Sequence, residues 1–169
     1  RVIRCGQELF SESRIALQRV WSETTWLLQS LRDNPVSARQ EYDQVFVGTG
    51  EAEITPYASH YLAESMQERV LVRLRDALAE MGLAKNQSAA EYEDHVSGLC
   101  EVMRHLILSL GSDDVAVRKQ KSFFLAYLLP WHAMFCAAIM ASPNTNFYKH
   151  VAGFTKAFLD VESSSFEMI

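Results

Sequence analysis

Apolar residues recur at helical spacing along most of the chain, and polar residues fill the positions between them. Such runs predict helices near residues 38–46, 57–61, 71–81, 96–110 and 147–161, followed by "SSSFEMI" as a frayed tail. No segment alternates between apolar and polar residues over more than a few positions. The pattern therefore predicts an all-α bundle of roughly six to eight helices. The first helix, ended by "RDNP", is predicted from Leu17, Val20, Trp21, Thr24, Leu27, Leu28 and Leu31.

Short signals mark several helix ends. Thr55 followed by Pro56 is typical of an N-cap with proline in the first turn. Gly82 followed by Leu83 is typical of a left-handed cap. The "GTG" at positions 48–50 lacks the downstream Gly-Lys-Ser/Thr of a phosphate-binding loop. We interpret it as a turn that uses the freedom of glycine at positive φ.

Residues 123–141, "FFLAYLLPWHAMFCAAIMA", carry no formal charge and follow "RKQK". A run of this length could cross a bilayer. Tyr127, Trp131 and His132 interrupt it, however, and Pro130 should kink or break a helix. We therefore predict a buried central helix and no stable membrane insertion.

The small, polar segment "AKNQSAA", residues 84–90, is predicted to be a hinge inside a single 169-residue domain. It would separate an N-terminal half, about residues 1–83, from a C-terminal half, about residues 91–169. Both a monomer and a dimer that exchanges halves are compatible with such a hinge.

Composition excludes some partners. The net charge is −5 and no block of basic residues occurs, so nucleic acid is not expected to bind. The cysteines, which are Cys5, Cys100 and Cys136, are odd in number and far apart in the sequence. They are predicted to be reduced, buried thiols of a cytoplasmic protein.

The stretch "YEDHVSGLCEVMRHLI" carries the candidate chemistry. At about 100° per residue, Asp94, Glu101 and His105 would share the helix face opposite the apolar stripe, with His95 at the edge of that stripe. Spacing alone favours a structural role for Asp94 and His95, because the helix dipole stabilises an acid in the first turn. Neighbouring side chains diverge too far to act as a catalytic pair, but both could face a ligand. An all-α metal- or small-molecule-binding protein that uses these four residues stays an alternative, although no metal-ligand motif occurs.

Three ordered blocks between about residues 42 and 162 resemble the TorD/DmsD family of chaperones for enzymes exported by the twin-arginine pathway. They are "YDQVFVGTGEAEITPYASHYL", "YEDHVSGLCEVMRHL" and "FFLAYLLPWHAMFCAAIMASPNTNFYKHVAGFTKAFLDVE". The chain departs from the family pattern at Tyr127, in place of histidine, at Ala133 and Thr49, in place of prolines, and at Tyr92-Glu93.

This resemblance implies a non-enzymatic chaperone without a cofactor of its own. It would bind the leader peptide, and also the apo catalytic subunit, of a molybdopterin oxidoreductase, assist cofactor insertion and prevent premature export. Two arginines and an apolar stretch in a leader call for carboxylates and an apolar groove in the receptor. Family positions tied to leader binding map onto Asp94 and His95, with Glu101 on the same predicted face, and groove positions map onto Val45, Phe46, Tyr57, Ser59 and Tyr61.

Overall fold

The computed structural model describes residues 35–48, 50–62, 64–86, 88–110 and 113–168, together with six residues between Ile15 and Thr25. Those six residues are helical, and the hydroxyls of Ser22 and Thr25 donate to carbonyls four residues earlier at 3.0 and 2.8 Å. Of the seven residues that predict the first helix, only Trp21 is described. The other six lie outside the described residues, and so does Cys5.

Seven α-helices and one π-helical turn account for most of the described residues, so the predicted all-α fold is confirmed. In the same residues, the only extended pairing is an isolated antiparallel bridge between Tyr57 and His95. In chain order the elements are α1 (Pro35–Tyr42), the π-turn (Asp43–Val47), α2 (Ala58–Tyr61), α3 (Glu64–Glu80), α4 (Val96–Leu110), α5 (Asp114–Tyr127), α6 (Leu129–Ala141) and α7 (Phe147–Glu167).

The chain divides into two compact units. Unit 1 comprises residues 1–55 and 132–169, and unit 2 comprises residues 56–131. Unit 1 therefore holds α1, the π-turn and α7, whereas unit 2 holds α2 to α5. The predicted hinge, residues 84–90, falls within unit 2, and an exchange of halves through it stays a prediction.

In unit 1, the Glu41 carboxylate holds the N-terminus of α7. It accepts backbone N–H bonds from Asn146, Phe147 and Tyr148 at 3.0, 3.0 and 2.7 Å. These N–H groups have no acceptor inside the helix, and a carboxylate also complements the positive end of the helix dipole. The cap therefore ties α1 to α7.

The glycine turn predicted at positions 48–50 is confirmed. Gly48 has a φ of 64°, and its N–H closes the π-turn by donating to the Asp43 carbonyl at 2.8 Å. A Cβ at Gly48 would lie 2.3 Å from the Glu51 carbonyl oxygen. Only glycine fits this turn without moving the backbone.

The prediction of a frayed C-terminal tail is wrong. Helix α7 continues to Glu167, and Phe166 is buried seven residues after the buried Leu159, which places both on one helix face. The hydroxyls of Ser164 and Ser165 donate to carbonyls four residues earlier, at 3.0 and 2.8 Å, rather than opening the last turn.

The uncharged segment 123–141 forms two helices rather than one. Helix α5 ends at Tyr127 and α6 begins at Leu129, with a bend of 54° between them. Pro130 explains the break that was predicted there, because proline has no N–H and crowds the preceding turn. The Trp131 indole donates to the Tyr127 carbonyl at 2.7 Å and so satisfies a group that the break would expose.

Among the described residues, no single helix has both the length and the apolar character for a membrane crossing, and α5 with α6 meets the criteria only as a bent pair. Phe123, Phe124, Leu128 and Trp131 are buried inside the protein.

Candidate functional site

Asp94 joins the segment before α4 to the start of α2. Its carboxylate Oδ2 accepts a hydrogen bond from the Ser59 N–H at 2.9 Å, and its backbone carbonyl accepts one from Ala58 at 3.1 Å. Tyr57, at the N-cap position of α2, makes no side-chain cap of its own. Asp94 therefore supplies the cap from a distant part of the chain.

The side chain of Asp94 is 1 % exposed, and its Oδ1 atom is buried without a hydrogen-bond partner among the described residues. The predicted shared face of Asp94, Glu101 and His105 is not formed, because α4 begins at Val96 and Asp94 precedes it. Glu101 is exposed on α4 and pairs with Arg104 at 2.9 Å.

His95 caps α4. Its Nδ1 atom accepts the backbone N–H of Ser97 at 3.1 Å and lies 2.7 Å from the Ser97 hydroxyl. A ring nitrogen that accepts an N–H bond carries no proton, so the neutral ring is protonated on Nε2. Partial burial lowers the pKa of His95, although Glu91 and Asp94 oppose the shift.

The predicted groove residue Tyr57 lies beside this pair. Its ring packs edge-on against His95, with centroids 5.1 Å apart, and against Tyr92 at 6.2 Å. The Tyr57 hydroxyl donates to the Glu91 carboxylate. Tyr57, His95 and Glu91 are thus brought together, and Asp94 holds the backbone that positions them.

Ser59 and Tyr61 are on α2. Ser59 is half-buried and contributes its backbone N–H to Asp94. Tyr61 stacks on Trp131, with ring centroids 5.6 Å apart and planes 21° from parallel.

Val45 and Phe46 lie in unit 1. Val45 is completely buried, and its carbonyl accepts the Ile54 N–H at 3.0 Å. Phe46 is half-buried and packs against Tyr42 and Tyr148, at centroid distances of 5.4 and 5.1 Å.

A cleft of about 490 Å³ lies in unit 2, between α4 and the segment that follows α3. Gly98, Glu101, Val102 and His105 recur at i, i+3, i+4 and i+7 and form its α4 wall. A Cβ at Gly98 would lie 3.1 Å from the Glu93 carbonyl oxygen, so glycine permits the close approach of the opposite wall. Further lining residues are Leu78, Leu83, Lys85, Glu91, Tyr92 and His95.

The predicted left-handed cap contributes to the apolar wall. Gly82 has a φ of 70°, and the Leu83 N–H returns to the Leu78 carbonyl at 2.8 Å. This bond is the 6→1 interaction of a Schellman motif. It turns the chain after α3 and places Leu83 beside Leu78 in the lining of the cleft.

Ion pairs fix the segment that forms the opposite wall. Arg75 on α3 donates to both carboxylate oxygens of Glu93, each at 3.0 Å, and these bonds lower the pKa of Glu93. Glu93 is mostly buried and so is held in place by a bidentate partner. Lys85 lies 5.6 Å from the ring centre of Tyr92, within cation–π range.

No group of three His, Cys, Asp or Glu side chains in the described parts of the chain is arranged to hold a metal ion. The prediction of buried cysteines is confirmed for Cys136 and wrong for Cys100, which is exposed. Arg104 and Ile107, four and seven residues further along the same face of α4, are exposed as well.

Sequence reasoning missed the wall opposite α4, which includes Lys85, Glu91 and Tyr92. These residues precede the helix and follow no helical or strand period, so no pattern assigned them to a site. Their position in the sequence could have indicated them, because the segment that carries them leads directly to the Asp94-His95 pair.

Comparison with protein families identifies a match that covers most of the chain. The model of the nitrate reductase delta subunit family matches residues 14–137, which include α1 to α5, the first part of α6 and all residues of the cleft. No solved structure matches the chain.

Proposed function

The chain belongs to the nitrate reductase delta subunit family, whose members are chaperones of redox-enzyme maturation, and we propose that it binds the twin-arginine leader of a molybdopterin oxidoreductase in the unit 2 cleft. The general role follows from the family: assistance to a molybdenum enzyme during its maturation. Leader binding, cofactor insertion into the apo catalytic subunit and delayed export are the proposed details. This role would be carried out in the cytoplasm, without catalysis.

The observation that carries the proposal is the composition of the cleft wall. Leu78, Leu83 and Val102 provide an apolar surface, and the carboxylates of Glu91 and Glu101 belong to exposed residues beside it. A leader peptide offers an apolar stretch and two guanidinium groups. Charge-assisted hydrogen bonds from arginine to carboxylate are stronger than neutral ones, so both parts of the peptide find complementary surface.

Asp94 has an indirect part in this proposal. Its carboxylate is buried, so a leader arginine meets Glu91 and Glu101 rather than Asp94. By capping α2, Asp94 positions Tyr57 and, through Tyr57, the Glu91 carboxylate. His95 presents an Nε2–H that can donate to a backbone carbonyl of the peptide.

None of the five predicted groove residues lines the cleft, and Tyr57 only contacts its lining residues His95 and Glu91. Tyr61 stacks on Trp131 within unit 2, and Val45 and Phe46 lie in unit 1. We keep Phe46, which is half-buried in an aromatic cluster, as a proposed contact for a longer part of the client.

Isothermal titration with the twin-arginine leader peptides of molybdopterin oxidoreductases from the same genome tests the proposal. We expect binding that weakens at least about tenfold when both arginines are replaced by lysine, because lysine cannot form the bidentate bond. The variant Glu91→Gln/Glu101→Gln should lose a similar factor. The matched control Glu51→Gln/Glu167→Gln removes two exposed carboxylates elsewhere and should bind normally.

No binding by the parent protein contradicts leader recognition. Equal binding of the lysine peptide, or equal loss in the control variant, would show that general charge attraction rather than the cleft accounts for the affinity.

A further inference from the structure

The outward face of α5 carries three cations that leader binding does not use. Arg118 and Lys119 are exposed and Lys121 is half-buried. None of the ion pairs in the described parts of the chain includes any of them, and none lines the cleft. In a chain with a net charge of −5, three cations within four residues are a local exception, and the exposed Asp114 is the acid at the N-terminal end of the same face.

Two apolar side chains share that face. Val115 is 55 % exposed and Leu125 is 40 % exposed. Val115, Arg118 and Leu125 lie along one line of the helix, since they are three and seven residues apart. At about 100° per residue, Lys119 and Lys121 fall on the two sides of this line. We call these five residues the basic face of α5.

The basic face is directed away from the body of unit 2. Ala116, Phe123 and Phe124 are buried on the other side of α5, and Gln120 donates to the Leu106 carbonyl of α4 at 3.4 Å. Asp113 is engaged as the helix cap through the Ala116 N–H at 2.7 Å. The cations are therefore directed outward, on a rigid helix about 15 Å long from Val115 to Leu125.

We propose that the basic face docks an acidic amphipathic helix of the mature catalytic subunit, at a site distinct from the leader cleft. A central apolar line flanked by lysines complements a helix with apolar residues at its centre and carboxylates on both sides. The inference rests on the proposed function for the identity of the client. The charge and apolar pattern of α5 define the chemistry of the docked segment.

Other occupants fit less well. An anionic bilayer would meet only two partly exposed apolar side chains, and the negative charge of the rest of the chain would oppose its approach. A nucleic acid requires a broader basic patch than three side chains.

The test uses the apo catalytic subunit with its leader deleted, the leader peptide alone, and vesicles of phosphatidylglycerol. The variant Arg118→Gln/Lys119→Gln/Lys121→Gln removes the three charges and keeps side chains that favour helix. The control Arg69→Gln/Arg73→Gln/Lys149→Gln removes three exposed cations from α3 and α7. Both variants change the net charge equally.

We expect the α5 variant to bind the leader-deleted subunit roughly tenfold more weakly, because each exposed charge pair contributes a few-fold at most. Its affinity for the leader peptide should equal that of the parent, which also shows that unit 2 is folded. Parent and control should bind the subunit alike, and their binding should weaken as salt rises, because salt screens exposed charges.

Unchanged binding of the subunit by the α5 variant overturns the docking site, and so does failure of the parent to bind the leader-deleted subunit. Vesicle binding that depends on the three cations, with subunit binding intact, would reassign the face to lipid. Failure of the leader peptide to bind would count against the proposed function and leave the subunit measurement interpretable by itself.

Discussion

The carboxylate of Asp94 accepts the backbone N–H of Ser59 at 2.9 Å and so caps a helix that lies 35 residues earlier in the chain. Two further backbone hydrogen bonds follow this path, from the Ala58 N–H to the Asp94 carbonyl and from the Val96 N–H to the Pro56 carbonyl, and together they form the Tyr57–His95 bridge. The segment before α4 is therefore built onto the start of α2. This junction therefore fixes the position of the cleft wall opposite α4.

Replacing Asp94 by alanine should destabilise the protein by about 1–3 kcal/mol, because the Ser59 N–H loses its partner and α2 loses its cap. Asp94→Asn should cost less, since the amide oxygen can still accept that bond and no charge remains buried. Urea unfolding followed by circular dichroism measures both. Asp113→Ala, which removes the cap of α5, serves as a comparison with a cost of about 1 kcal/mol.

An Asp94→Ala protein as stable as its parent would contradict this account of the junction. The leader affinity of Asp94→Asn gives a second reading. If Asp94 only positions the cleft wall, its replacement should weaken leader binding less than Glu91→Gln/Glu101→Gln does. If Asp94 contacts the leader directly, the two losses of affinity should be comparable.

The cap at His95 predicts a pH dependence. The pKa of His95 is lowered from its ordinary value of 6.5, chiefly by partial burial. The unfolded chain therefore binds a proton more readily than the folded one, and the stability from the neutral ring is present above pH 6.5 and is lost as the pH falls through the lowered folded pKa. Protonation of Nδ1 would also remove the acceptor for the Ser97 N–H.

We expect an NMR titration to give a His95 pKa below 6.5, with the neutral ring protonated on Nε2. The variant His95→Asn keeps an N-cap acceptor without a titrating group, so its stability should fall less than that of the parent between about pH 7 and pH 5. Equal acid sensitivity of the two proteins would show that the ring does not act as a neutral cap.

The sequence predicted local features and missed connections between distant segments. Gly82 closes α3, Gly48 turns the chain and Pro130 breaks the long apolar segment, because each effect depends on backbone geometry within a few residues. The Asp94 cap depends on contact with Ser59, which no local pattern records. The sequence pattern predicted that Asp94 lies on the exposed face of α4. Asp94 precedes the helix, which begins at Val96, and its carboxylate is buried.

In the same region, polarity alone did not indicate the cleft. Residues 84–90 were interpreted as a hinge because they are small and polar, yet Lys85, together with the following Glu91 and Tyr92, lines a cleft against α4. Polar residues suit a solvated linker and the rim of a binding site equally well. The packing of Glu93 on Arg75 and the close approach at Gly98 bring the end of this segment against α4, and its role as a hinge stays a prediction.

The C-terminal turn of α7 should contribute to stability. Phe166 is 6 % exposed, and its replacement by alanine should destabilise the protein by about 3 kcal/mol, because large buried side chains leave a cavity. Thermal or urea unfolding measures the loss. The control Met168→Ala changes a side chain that is 52 % exposed and should alter the unfolding free energy by less than about 0.5 kcal/mol. Similar effects of the two replacements would mean that the last turn is frayed after all.

The two described cysteines should differ in reactivity. Cys136 is completely buried, and burial raises its pKa to about 11, so roughly one thiol in a thousand is ionised at pH 8 and solvent cannot reach it. Desolvation by neighbouring groups and the charge of Glu101 also raise the pKa of Cys100, but Cys100 is exposed on α4 and solvent can reach its thiol.

In a Cys5→Ser background, an aromatic disulfide reagent at pH 8 should therefore label one thiol in the native protein and two in guanidinium. Adding Cys100→Ser should abolish the native signal, whereas adding Cys136→Ser should leave it unchanged. Labelling of Cys136 at the rate of Cys100 would require that α6 opens on the timescale of the reaction, which the complete burial of Cys136 argues against.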